Sequence, residues 1–380
     1  MKVALAHDWL TGMRGGEKVL EVLCELYPDA DLFTLLHQRG SVSPLIERRR
    51  IRTSFIQHLP FASQRYRQYL PLFPLAVRGF HFDGYDLVIS TSHCAVKSIR
   101  TPAHVRHICY CHSPMRYAWD QFDAYFGPER VGPLASRLVY RPVMRAMAQW
   151  DANTANRVDR FVANSAYVAG RIRRYYSRAA TVVFPPVDTR FFQPDFQARG
   201  RHFLIVSALV PYKRIELAID ACALAGVPLR IAGDGPDRAR LETRASELAG
   251  AKGTGPTAVS FLGPMSGDRL RDEYCRARAV ILPGEEDFGI VPVEAQSCGT
   301  PVIAYARGGA LETVIDQETG ILFDEPTPAA LAAALVRIDG HRFDAARLHA
   351  HAECFSRERH RTAMQQLIAD TLAAPEGTQW

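Results

Sequence analysis

Short runs of branched, apolar residues alternate with longer stretches of helical spacing over most of the chain. Residues 2–6 read as a strand, and 16–27 as a helix with Val19, Val22, Leu23 and Leu26 on one face. Further strands are predicted at 31–36, 86–90, 107–111, 160–164 and 180–184, with helical stretches at about 134–157 and 166–176. A second series follows, with strands near 203–207, 229–232, 258–262, 279–282, 301–304 and 320–323 and helices in the gaps. Runs such as 280–282 and 302–304 are apolar at every position, the pattern of parallel strands covered on both faces. Strand–helix alternation in two successive series predicts two α/β domains, and a chain of 380 residues can bury a core in each.

Residues 47–80 break the pattern. Pro60, Pro71 and Pro74 punctuate a stretch that fits neither period, and it reads as an insertion. The formal charge of +6 is modest, but Arg48, Arg49, Arg50, Arg52, Arg65, Arg67 and Arg78 fall here with Glu47 as the only acid. Two readings stand: short helices packed with their arginines outward, or contact with an anionic membrane or lipid phosphate. No nucleic-acid signature accompanies the charge. The eight cysteines are scattered through apolar segments, as reduced thiols are, and neither a signal peptide nor a spanning helix is evident. The expectation is a cytoplasmic protein, with a peripheral membrane contact through 47–80 as an option.

Candidate chemistry concentrates between residues 280 and 305, VILPGEEDFGIVPVEAQSCGTPVIAY. Two strand-like runs flank an acidic, Gly-containing turn, and Pro292 suits the first turn of a helix. Phe288, Gly289 and Ile290 would then offer backbone N–H groups to an anion, while Glu286 in the loop and Glu294 in the helix's first turn would accept from sugar hydroxyls. A surface acid and a helix-start acid would give the same two letters. The loop HDWLTGMRGGEK places Gly15 and Gly16 between the first strand and first helix without the spacing of a dinucleotide fingerprint. His112 falls at the end of the strand 107–111, the edge at which open α/β sheets bind ligands. Arg116, Tyr117 and Asp120 follow it, as ligand contacts or as a structural hydrogen-bonded cluster. His107, Cys109 and Cys111 share a strand face, but their spacing matches no common zinc pattern. Lys213 and Arg214 lie at another strand's C-terminal edge, suited to neutralising a diphosphate. Gly233 and Gly263 end two neighbouring strands. The acidic pair Asp29 and Asp31 precedes a strand, on the edge away from ligands.

EEDFGIVPVEAQSCGTPVIA resembles the motif of the retaining glycosyltransferases of family 4, which fold as two facing Rossmann-like domains, the GT-B architecture. The resemblance implies an acceptor-side domain at 1–185 that includes the inserted stretch 47–80, a nucleotide-sugar-binding domain at 201–355, a linker at 186–200 and a C-terminal helix within 356–380 that crosses back to the first domain. It implies that Glu286 contacts the donor hexose, Glu294 the nucleotide ribose, Lys213 the diphosphate and His112 the donor sugar. Gly15, Gly16 and Arg116 would lie near phosphates and acceptor, and the FLGPM segment at Gly263 near the base. Where the family has Gly-Arg, this chain has Ser207-Ala208, so one usual phosphate cation is missing. HDWLTGMRGGEKVLE and YCHSPMRYAWD resemble bacterial polysaccharide-assembly mannosyltransferases. The implied activity is metal-independent, cofactor-free transfer of a hexose, mannose from GDP-mannose first, to a surface-polysaccharide or polyprenyl-diphosphate-linked glycan precursor. A sugar-nucleotide epimerase of the same architecture and a non-catalytic nucleotide-sugar-binding protein are the alternatives.

Overall fold

The structure, a computed structural model, describes residues 1–195, 199–251, 259–375, 377–378 and 380. Residues 196–198 of the expected linker, and residue 258 of the strand expected at 258–262, lie outside the described residues. The chain forms two units, one of Met1–Pro186 with Glu358–Trp380, the other of Val187–Arg357.

The first unit is built on seven parallel strands: β1 (Val3–His7), β2 (Asp31–Thr34), β3 (Arg50–Thr53), β4 (Leu87–Ser92), β5 (Arg106–Cys111), β6 (Arg160–Ala163) and β7 (Thr181–Val182). Their order across the sheet is β3-β2-β1-β4-β5-β6-β7. The order reverses between β1 and β4, so a crevice opens beyond their C-terminal ends. β1, β2, β4 and most of β5 are buried throughout because helices cover both faces. The helix Gly15–Leu26 turns Val19, Leu20 and Leu23 onto the sheet. The last helix, Arg357–Ala373, packs Met364, Leu367 and Ile368 against the same core as Val3, Leu5 and Tyr110, so the chain ends in its first unit.

β3 is a departure from the sequence reading, which found no period in 47–80. It pairs with β2 in register Leu32 to Ile51 as an edge strand. Its arginines point outward and find Asp31, with Arg50 Nε 2.5 Å and Arg52 Nη2 3.4 Å from the carboxylate. Arginine on an exposed edge also discourages pairing with other chains. Downstream, Tyr66, Leu70, Phe73, Ala76 and Val77 anchor short helical turns in the core. The stretch read as one helix at about 134–157 is a helical run with a π turn at Ser136–Tyr140, then the helix Arg141–Asn153 and a short turn Ala155–Arg157.

The second unit carries six parallel strands: β8 (Phe203–Val206), β9 (Leu229–Ala232), β10 (Val259–Gly263), β11 (Ala279–Leu282), β12 (Val302–Tyr305) and β13 (Gly320–Phe323). They run in the order β10-β9-β8-β11-β12-β13, with the reversal between β8 and β11. The loops after those two strands therefore meet at one place. Val187 accepts from Arg357 N–H at 2.9 Å and Ser297 donates to Phe192 O at 2.5 Å, so the chain after Pro186 is bonded to the second unit itself.

Candidate functional site

Lys213 and Glu286 are 73 residues apart, and the pairing of β8 with β11 joins them. Lys213 closes the turn Pro211–Lys213 after β8, Glu286 follows β11, and the Nζ bonds to the Glu286 carboxylate. Gly284 permits the approach: a Cβ there would lie 2.8 Å from Tyr212 O and 3.0 Å from Lys213 Cα. The side chains are 18% and 11% exposed, so the pair sits at the mouth of the crevice and keeps access to a ligand. Ser207, Ile215, Ile281 and Leu282 line the floor.

Gly289, at φ 84°, caps the helix Ile290–Ser297 without a capping side chain. Phe288 behind it is buried and packs on Phe355 at 5.6 Å. A second glycine loop braces this one, with Gly309 N–H donating to Glu286 O at 2.8 Å. A Cβ on Gly308 would lie 2.2 Å from Glu286 O, and one on Gly309 2.4 Å from Phe288 Cα. The glycines of 306–314 thus hold the acidic loop by backbone contact.

Glu294 corrects the sequence reading in one respect. It is the fifth residue of its helix, not in the first turn, and the helix has no acid there. The favourable dipole field falls off within the first turn, so helix polarity does little for it. Glu294 is buried and accepts a 2.9 Å hydrogen bond from Tyr274 Oη. Burial first, and then the Glu294 carboxylate, drive the Tyr274 phenol well above the usual tyrosine range. Tyr274 thus stays a hydrogen-bond donor.

Gly233 directly follows β9 and Gly263 ends β10. Gly233, at φ +135°, lies where a Cβ would be 1.8 Å from Ser207 O, and its N–H donates to Gly263 O at 2.8 Å. Backbone crowding therefore requires glycine at 233 whatever binds nearby. Arg214 is exposed, holds a left-handed φ of 52° and lays its guanidinium 5.5 Å over the Tyr305 ring.

In the first unit, His112 follows β5 and Gly16 is the second residue of the helix Gly15–Leu26 after β1. A Cβ on Gly16 would be 3.4 Å from His112 Nε2 and 3.5 Å from His7 Cε1, so the glycine lies directly over both imidazoles. Gly15 precedes it as the helix's first residue, with no atom near a Cβ. His112 Nε2 is buried without a hydrogen-bond partner among the described residues. Burial, with the neighbouring His93, His7 and His360, holds the His112 pKa well below the usual histidine value. It is a neutral imidazole at pH 7.

Four polar residues here escaped the sequence reading. His7 Nδ1 pairs with Thr91 Oγ1 at 2.6 Å, and its Nε2 lies 3.6 Å from Glu17. Burial opposes ionisation of Glu17, but the adjacent His7 imidazole and a backbone hydrogen bond outweigh it and hold its carboxyl below the usual range. Its other oxygen accepts from Arg14 N–H at 3.0 Å, fixing the glycine turn. Asp8, fully buried, accepts from the backbone N–H groups of His93, Cys94, Ala95 and Val96 at 2.7–2.9 Å and so shapes the loop after β4. The signal available was a polar pair, His7-Asp8, directly after an apolar strand.

The structure separates the residues after His112. Asp120 is bound by Arg171 and Tyr175, and Tyr117 Oη meets Cys94 Sγ at 2.7 Å, so both serve the fold. Arg116 opens the short helix Arg116–Trp119, half-buried. His107 bonds Ser90 Oγ and Arg157 O at 2.8 and 3.1 Å, which occupies both ring nitrogens. Asp31 is engaged by Arg50 and Tyr85.

Two family models divide the chain: Glycosyltransferase Family 4 matches residues 13–191, and Glycosyl transferases group 1 matches residues 187–339. The chain is 34% identical over 253 residues to the D-inositol 3-phosphate glycosyltransferase of Salinispora tropica, covering 58% of this chain and 52% of that protein. It spans about half the length of the curated relatives it matches. Among solved structures it is similar to sucrose-phosphate synthase from Thermosynechococcus elongatus, with TM-score 0.74, 20% identity and coverage of 99% and 100% of the two chains. Anabaena HepE in complex with UDP and glucose gives TM-score 0.68, 20% identity and coverage of 99% and 100%. At that identity the two structures speak for the fold.

Proposed function

The chain belongs to glycosyltransferase family 4, and on that premise we propose that it transfers a hexose, with retention, from a nucleotide diphosphate sugar to a hydroxyl of a bacterial glycan precursor. The observation that carries the proposal is the Lys213–Glu286 pair beyond β8 and β11, beside the Gly289-capped helix. Departure of a nucleoside diphosphate leaves negative charge on phosphate and develops positive charge on the sugar ring. Lys213 and the amides after Gly289 are suited to the first, and Glu286 to holding the hexose hydroxyls. Lys213 is kept in place by Glu286 until a diphosphate shares its charge. Glu294 is assigned to the ribose, oriented by Tyr274. Gly15, Gly16 and the neutral His112 are assigned to phosphate and sugar, with the leaving diphosphate oxygen receiving the acceptor's proton.

Mannose from GDP-mannose and a surface-polysaccharide or polyprenyl-diphosphate-linked acceptor are the favoured substrates, supported by the likeness of HDWLTGMRGGEKVLE and YCHSPMRYAWD to polysaccharide-assembly mannosyltransferases. A second acceptor class has its own support: the curated relatives are D-inositol 3-phosphate glycosyltransferases by name, which makes a phosphorylated polyol worth testing. No helix among the described residues is long and apolar enough to cross a membrane. A cytoplasmic location with contact between segment 47–80 and an anionic bilayer belongs to the same proposal.

Calorimetry with GDP-mannose, UDP-glucose and the other common nucleotide sugars, followed by product analysis with each acceptor class, tests this reading. Transfer with retained anomeric configuration supports it. An epimerised nucleotide sugar, or binding without turnover, would replace it with an epimerase or a binding protein.

A further inference from the structure

The helical run 133–153 presents the wrong kind of face to water. Its inner side is conventional: Ser136, Met144, Met147 and Asp151 are buried in the first unit. Its outer side carries Leu134, Leu138 and Val139 at 73%, 65% and 55% exposure, among the most exposed large apolar side chains of the described residues. Leu134, Leu138 and Pro142 follow one another at one-turn intervals, and Arg137, Arg141 and Arg145 do the same beside them, all exposed. The π turn contributes: Arg141 N–H reaches back five residues to Ser136 O, and the wider turn leaves both Leu138 and Val139 outside. Glu129 is the only acid between residues 128 and 148, against four arginines. Asp123 lies 3.5 Å from Arg141, but both side chains are largely exposed and the pair is weak.

We propose that the face formed by Leu134, Arg137, Leu138, Val139, Arg141 and Arg145 docks on an anionic lipid bilayer. Leucines one turn apart seat in the boundary between headgroups and acyl chains, and the adjoining arginines meet lipid phosphates. A polar protein surface would leave the leucines unsatisfied, and a neutral bilayer would leave the arginines so. This surface is distinct from segment 47–80, and its argument does not depend on the sugar chemistry.

The test is cosedimentation of the full chain with phosphatidylglycerol-containing vesicles and with pure phosphatidylcholine vesicles. Parent protein is expected to prefer the anionic vesicles, with binding falling as salt rises. Arg137→Ala/Arg141→Ala/Arg145→Ala and, separately, Leu134→Ser/Leu138→Ser are each expected to lose about tenfold or more of that binding. Arg48→Ala/Arg49→Ala should lose less. Equal binding by parent and both variants would overturn the assignment, as would a parent that ignores anionic vesicles. A leucine variant that turns an oligomer into a monomer without altering vesicle binding would assign the face to a second copy instead. Transfer to a water-soluble acceptor, measured in parallel, should be unchanged in these variants, so failure here is distinguishable from failure of the catalytic reading.

Discussion

Tyr274 donates a 2.9 Å hydrogen bond to Oε2 of Glu294, joining the end of the helix Gly267–Arg276 to the middle of the helix Ile290–Ser297. Both side chains are buried. Tyr274→Phe preserves the ring and its packing but takes a donor from a buried carboxylate, which costs about 1–3 kcal/mol of stability. Because Glu294 is assigned to the nucleotide, the variant should also bind nucleoside diphosphate more weakly. Denaturant unfolding and calorimetry read the two effects separately. An unchanged affinity with lowered stability would make Tyr274 a purely structural partner.

Gly308 tests whether the acidic loop is held by backbone packing. It sits at φ +63°, and a Cβ would lie 2.2 Å from Glu286 O. Gly308→Ala therefore combines a strained conformation with a clash, and should cost on the order of 2–4 kcal/mol while displacing Glu286 enough to lower kcat. Gly340 has open space where a Cβ would go, and Gly340→Ala should leave both quantities near parent values. If the two variants melted alike, the bracing role of Gly308 would be wrong.

Most of this architecture was legible because buried parallel strands write their environment into consecutive positions: Leu229–Ala232, Ala279–Leu282 and Gly320–Phe323 fall where apolarity places them. β3 was not, because an edge strand with Arg50 and Arg52 facing water has no apolar run. Its partner Asp31 lies 19 residues away from Arg50. The meeting of Lys213 with Glu286 follows from strand order, since ligand loops gather where that order reverses. The buried polar partners Tyr274, His7 and Glu17 are different. Local periodicity records whether a position is buried, not which carboxylate a buried hydroxyl or imidazole will find.

His107 should make acid weaken the fold. Its ring nitrogens are committed to Ser90 Oγ and Arg157 O, and burial depresses its pKa from 6.5 to about 4. Between those values the unfolded chain binds a proton that the folded chain refuses, so the His107 contribution is complete above pH 6.5 and is lost as pH falls toward 4. The loss approaches about 3 kcal/mol from this group. Urea unfolding across that range measures it, and His107→Gln should flatten the slope.

Lys213 is expected to supply the cation that the departing diphosphate needs. Lys213→Ala should cost on the order of 2–4 kcal/mol of transition-state stabilisation, partly because Glu286 is left uncompensated. EDTA should leave parent activity nearly intact. Complete dependence on added magnesium or manganese would show that a metal, not Lys213, carries that charge.

The two glutamates should fail in different ways, because they are assigned different parts of one donor. Glu286 is bonded to Lys213 at the crevice mouth, where the sugar would lie, whereas Glu294 is buried on Tyr274. Glu286→Gln should lower kcat strongly yet leave the affinity for free nucleoside diphosphate close to the parent's, since that ligand has no hexose. Release of Lys213 would tighten that ligand, an effect of opposite sign to a lost contact. Glu294→Gln replaces an ionised acceptor with a neutral amide and should weaken the nucleoside diphosphate itself by roughly 1–3 kcal/mol. Calorimetry on both variants, alongside steady-state transfer, separates the roles. Two variants that bind and transfer like the parent would leave Glu286 as a loop acid and Glu294 as a packing residue, and the proposed donor site would have to lie elsewhere.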